Sequence, residues 1–173
     1  MLRIVGLFLA ACLLAAAIPA LADEDVAQHK HTSDSSQYDQ SPDSLVVDGD
    51  STSCYDSGRG APVWVEIDLG AEYPLKLIRL IPSMAPDGLV NIIITGRTAA
   101  GVTYTLATYS GTAHEHQAIN IPILVQIPVE FVRVSTLGSC SIVKFYTIQC
   151  IKATGTTPVL RQSTWGSMKA LYK

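Results

Sequence analysis

The sequence predicts an all-β domain, an eight-strand jelly-roll β-sandwich of two sheets. From Leu45 onward, short apolar runs alternate with turn signals, and no segment keeps helical spacing of its apolar residues over three turns. Prolines exclude central ladder positions between these runs, and the number and spacing of the runs fit a jelly roll. The predicted strands are Leu45–Val47, Val63–Asp68, Lys76–Ile81, Val90–Thr95, Val102–Thr108, Gln117–Ile121, Phe131–Thr136 and Ile142–Ile151.

The strand around Trp64 shows the alternation most clearly. Its odd-numbered positions are apolar, whereas Glu66 and Asp68 share the other face with Trp64. Trp64 is either a packed aromatic or a platform for a sugar ring, and packing is favoured because large aromatics supply core area. Turns are predicted at Asp87-Gly88, Ala100-Gly101, Ser110-Gly111 and Gly138-Ser139.

The first 22 residues have the pattern of a secretory signal peptide. Arg3 precedes an apolar run that ends in the small-residue cleavage pattern Ala20-Leu21-Ala22. Cleavage after Ala22 predicts a secreted protein of 151 residues, which suits one domain. We therefore predict three segments: a signal peptide 1–22, a β-sandwich domain 23–151 and a C-terminal tail 152–173.

Charge and motif content exclude several functions. The formal net charge is −3 and no basic stripe is present, so nucleic acid is not an expected partner. The acidic balance also disfavours anionic membranes. The sequence contains no nucleophile elbow, paired catalytic carboxylates or phosphate loop, and we therefore do not expect an enzyme.

The cysteines indicate an oxidising compartment without defining their pairing. Cys12 leaves with the signal peptide, and Cys54, Cys140 and Cys150 remain. Spacing alone allows three pairings, and each of them leaves one thiol over.

Five phrases spread from Val26 to Ile151 resemble one known family. They are Ser35-Ser36-x-Tyr38, Val47-Asp48-Gly49-Asp50 with Ser51-Thr52-Ser53-Cys54, Trp64-Val65-Glu66-Ile67-Asp68-Leu69-Gly70, Phe131-Val132-Arg133-Val134 and Ile148-Gln149-Cys150. These phrases resemble the discoidin domain, also called the coagulation factor 5/8 type C or galactose-binding-like domain, and especially its F-type lectin branch. The resemblance implies a galactose-binding-like jelly roll. It also favours a Cys54–Cys150 disulfide, which leaves Cys140 free or bonded to a second copy in a homodimer.

The resemblance also implies a calcium site. In F-type-like domains an Asp-Gly-Asp turn binds calcium together with backbone and carboxylate oxygens of a Cys-Glu pair in the last strand. Calcium takes roughly six to eight oxygens, and Ile151 stands here at the glutamate position. The implied site is therefore structural and weak, and a metal-free turn is the alternative. The implied ligands are Asp48, Asp50, Ser53 and the carbonyl of Cys150.

The signature of the fucose-binding branch is altered in this chain. Asp56 stands where that branch has a histidine, and residues 82–88 lack the arginine of its binding loop. Fucose specificity is therefore not expected, although the loops can bind another saccharide, with Tyr55 stacking on a pyranose face. Ordinary solvated loop residues are the alternative. The candidate ligand-binding residues are Tyr55, Asp56, Arg59, Ser83 and Asp87.

Two histidine clusters lie in polar, turn-like stretches, His29-Lys30-His31 and His114-Glu115-His116. A histidine pair two residues apart can ligate zinc only when further ligands join it. The sequence shows no second ligand motif, so we expect exposed loop histidines.

The sequence thus predicts a secreted, non-catalytic module that recognises glycans or glycoconjugates through loops at one end of the sandwich. The alternative is a protein-interaction or extracellular-matrix module with a decayed sugar site, which the odd cysteine and the extra tail favour. A third interpretation is peripheral phospholipid binding through apolar loop tips at Met84 and Leu89.

Overall fold

The computed structural model describes residues 23–84, 86–138 and 144–154. Within these residues, nine strands form two antiparallel sheets, and a single 3-10 helix spans Asp43–Val47. The all-β prediction is confirmed. The strands are β1 His31–Asp34, β2 Tyr55–Asp56, β3 Trp64–Tyr73, β4 Leu75–Pro82, β5 Gly88–Arg97, β6 Thr103–Ala113, β7 Ile119–Pro122, β8 Val129–Thr136 and β9 Lys144–Lys152.

The two sheets differ in size. The larger sheet has five strands in the order β1-β3-β8-β5-β6, and the smaller has four in the order β2-β9-β4-β7. Only Pro74 separates β3 from β4, so the chain passes from one sheet to the other in a single residue. Proline has no N–H to donate to a ladder, and its carbonyl accepts the Ala153 N–H at 2.8 Å.

Alternate side chains of the strands fill the space between the sheets. Ile67 and Leu69 from β3 and Ile78 and Leu80 from β4 are fully buried. Because successive side chains on a strand point to opposite faces, the residues between them face outward. Each such burial of leucine or isoleucine contributes about 1.5–3 kcal/mol, which makes this layer the main source of stability.

The predicted strand Leu45–Val47 is wrong, because these residues belong to the 3-10 helix. Pro42 precedes the helix in an extended conformation, and Val46 and Val47 are buried. The apolar run Leu45–Val47 therefore indicates that these residues are buried, and it does not indicate an extended backbone. The sequence also does not predict β1, a polar edge strand, or β2, which has two residues.

The predicted turn at Ser110-Gly111 is also wrong. Both residues lie inside β6, where Gly111 pairs with Val90. A Cβ atom on Gly111 would lie 2.6 Å from the hydroxyl oxygen of Tyr109. Glycine here leaves room for the Tyr109 ring and does not mark a change of chain direction.

The predicted Cys54–Cys150 disulfide is contradicted, since both residues carry free thiols. Tyr55 pairs with Phe145, so Cys54 lies beside the beginning of β9. Cys150 follows about 14 Å further along the strand at about 3.4 Å per residue, whereas a disulfide needs Cα atoms within about 7 Å. Cys150 is fully buried, and burial raises the pKa of its thiol.

Several predictions fall wholly or partly outside the described residues. They are the signal peptide 1–22, the turn at Gly138-Ser139, the first two residues of the strand Ile142–Ile151, the state of Cys140, and the tail from residue 155 onward. Among the residues that are described, no helix has the length and apolar character needed to cross a membrane.

We predict that Cys150 resists alkylation in the native protein and reacts on unfolding without any reductant. Complete burial and a raised thiol pKa both suppress the reactive thiolate in the folded state. Iodoacetamide labelling in buffer and in denaturant, read by peptide mass spectrometry, measures both reactions. Labelling that needs a reductant even in denaturant would show that Cys150 is disulfide-bonded.

Candidate functional site

Three chain segments meet at one end of the sandwich, here called the loop end. They are residues 83–84 and 86–87 between β4 and β5 (the β4–β5 loop), the β6–β7 loop 114–118 and the beginning of β9. The Ser83 N–H donates to the Lys144 carbonyl at 3.1 Å, and the His116 N–H donates to the Pro82 carbonyl at 3.3 Å. These backbone bonds place side chains from all three segments within reach of one another.

Glu115 is the centre of the hydrogen bonding at the loop end. Its carboxylate accepts the Tyr146 hydroxyl at 2.6 Å, the Ser83 hydroxyl at 3.3 Å and the backbone N–H of Met84. These bonds, above all the one from Tyr146, hold the pKa of Glu115 below its ordinary value of 4.5. The ionised carboxylate thus joins the β6–β7 loop, to which Glu115 belongs, to two residues of the β4–β5 loop and one of β9.

An aromatic stack lies beside this carboxylate. The rings of His116 and Tyr146 have centroids 4.1 Å apart and planes only 16° from parallel. His116 has a left-handed φ of 56°, and more than half of its side chain is exposed. The hydrogen bond to Glu115 raises the pKa of the Tyr146 hydroxyl, which stays a donor.

A second polar pair borders the same loops. Nδ1 of His114 lies 2.6 Å from Oδ2 of Asp87, and both side chains are more than half exposed. The pair joins the β4–β5 loop to the β6–β7 loop. Because the two side chains contact each other, the carboxylate and the imidazole face solvent side by side.

Two of the sequence-predicted binding residues have structural roles instead. Tyr55 is fully buried and donates its hydroxyl to the Ser36 carbonyl at 2.6 Å, so its ring cannot stack on a ligand. Asp56 is buried against Lys144 at 2.8 Å and accepts the Gly58 N–H. The hydrogen bond that Lys144 donates to Asp56 raises the pKa of Lys144.

The other three predicted residues lie at the surface. Arg59 is exposed and donates to the Ser35 carbonyl at 2.9 Å, beside β1. Ser83 and Asp87 belong to the network described above. We call this network the loop-end cluster, and its members are Ser83, Asp87, His114, Glu115, His116 and Tyr146.

Sequence reasoning did not assign four members of this cluster a binding role. The His114-Glu115-His116 run was the available signal, and zinc was the only ligand it suggested. Its partners come from segments about thirty residues away on either side, which no local pattern connects. Of the two residues predicted to insert into lipid, only Leu89 is exposed. Met84 is partly buried and packs against the core.

The acidic turn uses its own oxygens internally. Asp48 accepts the Asp50 N–H at 2.8 Å and the Ser53 hydroxyl at 2.6 Å, while Asp50 accepts the N–H and hydroxyl of Thr52. The Cys150 carbonyl accepts the Val26 N–H at 2.9 Å. The described residues contain no group of three or more His, Cys, Asp or Glu side chains suited to a metal ion. The implied ligands thus fit calcium only in part.

Comparison with known proteins identifies the fold and not a family. No protein-family model matches the chain, and no curated protein matches it. The family 32 carbohydrate-binding module of Clostridium perfringens NanJ, in complex with galactose, has a TM-score of 0.64 at 14% identity, with 73% of this chain and 96% of that one covered.

Two further solved structures are similar. A Clostridium perfringens module in complex with GlcNAc-α-1,4-galactose has a TM-score of 0.65 at 17% identity, covering 79% of this chain and 99% of that one. A Streptococcus pneumoniae fucose-binding module has a TM-score of 0.63 at 16% identity, covering 76% and 96%. The chain therefore has the galactose-binding-like β-sandwich fold of discoidin-type modules, as the sequence resemblance implied.

Proposed function

We propose that this chain is a secreted, non-catalytic carbohydrate-binding module that holds a saccharide at the loop-end cluster. The observation that carries the proposal is the joining of two loops and the beginning of β9 by Glu115, which positions exposed polar and aromatic groups at one end of the fold. The structural neighbours are in complex with galactose or with GlcNAc-α-1,4-galactose, or are described as fucose-binding. The signal-peptide pattern of residues 1–22 supports secretion.

The chemistry of the cluster suits a sugar. Saccharide hydroxyls both donate and accept, and the Asp87–His114 pair offers an exposed carboxylate next to an imidazole. The His116 ring is supported by Tyr146 on one side and can contact the apolar face of a pyranose. A few polar groups beside an aromatic surface are typical of small-molecule sites.

The ionisation of Glu115 supports binding without hydrolysis. A glycosidase general acid needs a carboxyl group whose pKa is raised so that it carries a proton near neutral pH. Hydrogen bonds lower the pKa of Glu115, so this group is ionised at neutral pH. Glu115 is therefore proposed to position the loops and not to donate a proton.

We predict that His116→Ala weakens saccharide binding by about tenfold, because it removes the exposed ring of the stack, a loss near 1.4 kcal/mol. Calorimetry with galactose, fucose and GlcNAc-α-1,4-galactose measures the effect. His31→Ala is the matched control, since His31 is an exposed histidine on β1. Equal affinity of His116→Ala and wild type would exclude the stack as a ligand contact.

Binding is also predicted to fail at acid pH. The folded-state pKa of Glu115 is lowered, so its stabilising contribution is fully present above about 4.5 and disappears as the pH falls through the lowered value. A titration of galactose affinity from pH 7 to pH 3 should therefore include a loss of affinity below about 4.5. Glu115→Gln should bind more weakly at pH 7 and should lack this acid transition, and an unchanged transition would place its origin elsewhere.

Calcium binding at the acidic turn remains a proposal, and we predict a weak effect. Calcium would have to displace the hydrogen bonds that Asp48 and Asp50 already accept. Millimolar calcium should therefore raise the midpoint of thermal unfolding only slightly relative to chelator, by linkage to the native state. Asp48→Asn should abolish this shift. A large, saturable shift at micromolar calcium would show a complete site.

A further inference from the structure

A charged pocket lies on the outer face of the five-stranded sheet. β3, β8 and β5 are neighbours there, and Glu66 pairs in register with Arg133, which in turn pairs with Thr95. Two pairings further along, and therefore on the same face, Arg97 lies opposite Phe131. The pocket has a volume of about 140 Å³ and is lined by Glu66, Thr95, Arg97, Thr103, Phe131 and Arg133.

One carboxylate joins the two arginines. Oε1 of Glu66 accepts from Nη2 of Arg97 at 2.9 Å, and Oε2 accepts from Nε of Arg133 at 3.0 Å. The Glu66 side chain is only 14% exposed, whereas those of Arg97 and Arg133 are 35% and 38% exposed. The acid is thus covered, and the two cations face solvent.

Aromatic rings hold both guanidinium groups in place. Cζ of Arg97 lies 3.6 Å from the ring centroid of Phe131, and Cζ of Arg133 lies 4.0 Å from that of Trp64. Stacking and a single hydrogen bond restrict each planar group before any ligand arrives. Trp64, which the sequence left between a packed aromatic and a sugar platform, supports an arginine.

The pocket carries an excess positive charge. Two guanidinium groups share one carboxylate, and the other acids of β3, Asp68 and Glu72, accept backbone N–H groups of Gly70 and Ala99 instead. A guanidinium has five N–H donors. Among the described residues, each of these two gives a hydrogen bond to Glu66 alone, so most of its donors remain for a ligand.

We infer that this pocket binds an oxyanion, the carboxylate or sulfate group of an acidic saccharide. The planar donor fork of arginine matches both groups. Thr95 and Thr103 also line the pocket, and threonine hydroxyls can donate to and accept from sugar hydroxyls. The choice of a saccharide as carrier rests on the proposed function. The inference that the ligand is an anion rests on the pocket alone, and the pocket shares no residue with the loop-end cluster.

The test compares charged and neutral sugars. The full mature chain, in low-salt buffer free of phosphate and sulfate, is titrated with sodium glucuronate, galactose 6-sulfate, galactose and inorganic sulfate. Calorimetry measures affinity, and the Nε–H resonances of Arg97 and Arg133 report the site. We expect at least one charged sugar to shift these resonances saturably, whereas galactose leaves them unchanged. The sugar that binds more tightly distinguishes carboxylate from sulfate.

Variants distinguish a ligand-binding role of Arg97 and Arg133 from a role only in stabilising the sheet through their ion pairs with Glu66. Arg97→Gln and Arg133→Gln should each weaken binding of the charged sugar about tenfold, because each removes a charged donor group. Glu66→Gln should strengthen it several-fold, since it removes the competing charge and keeps an acceptor oxygen; a purely structural role predicts no such gain. Arg79→Gln, on the other sheet between Asn120 and Gln149, is the matched control and should bind like wild type.

Three results would overturn the inference. They are no saturable shift with either charged sugar, wild-type affinity in both pocket arginine variants, or weaker binding by Glu66→Gln. Inorganic sulfate that binds as tightly as both charged sugars would refute the saccharide carrier. Loss of galactose binding in His116→Ala concerns only the loop-end cluster, so failure of the proposed function and failure of this inference remain distinguishable.

Discussion

The burial of alternate side chains between the two sheets is the constraint on which the rest of the structure depends. On β3, Ile67 points into this layer, and its neighbour Glu66 must point out. A slip of one residue would move a carboxylate into the core and an isoleucine to the surface, so the register is strongly specified. The ladder of Glu66 with Arg97 and Arg133 on the outer face exists because the core fixes that register.

The loop end is organised by different forces. Beyond Pro82 the chain leaves its sheet, and two backbone hydrogen bonds tie the loops to one another and to β9. Side-chain hydrogen bonds to Glu115 then link the exposed residues of these segments. Charge-assisted bonds of this kind are stronger than neutral ones, and they keep exposed loops in a defined relation.

The two candidate binding surfaces therefore differ in chemistry. The loop-end cluster mixes acids with imidazoles and a phenol, which suits neutral hydroxyl groups. The pocket on the sheet face has two cations for one anion, which suits a negative group. Their separate locations, one in loops and one on strands, let a substitution at one leave the other intact.

The sequence by itself determined the β class and most of the strands, because alternation with period two and turn residues are local signals. The galactose-binding-like fold was implied by the resemblance of five separate phrases to a known family. The sequence also marked Ser83 and Asp87, which lie in the loop-end cluster. It misassigned Leu45–Val47, because a short buried run reads the same in a strand and in a 3-10 helix.

Only the tertiary structure decided which residues meet. The pairing of Tyr55 with Phe145 separates Cys54 from Cys150 and buries the ring that was expected to face a sugar. Glu115 meets Ser83 and Tyr146 across about thirty residues of chain on each side, and Arg97 meets Glu66 across a similar span. Such contacts depend on strand order and register, which follow from the packing of the whole domain and not from any local pattern.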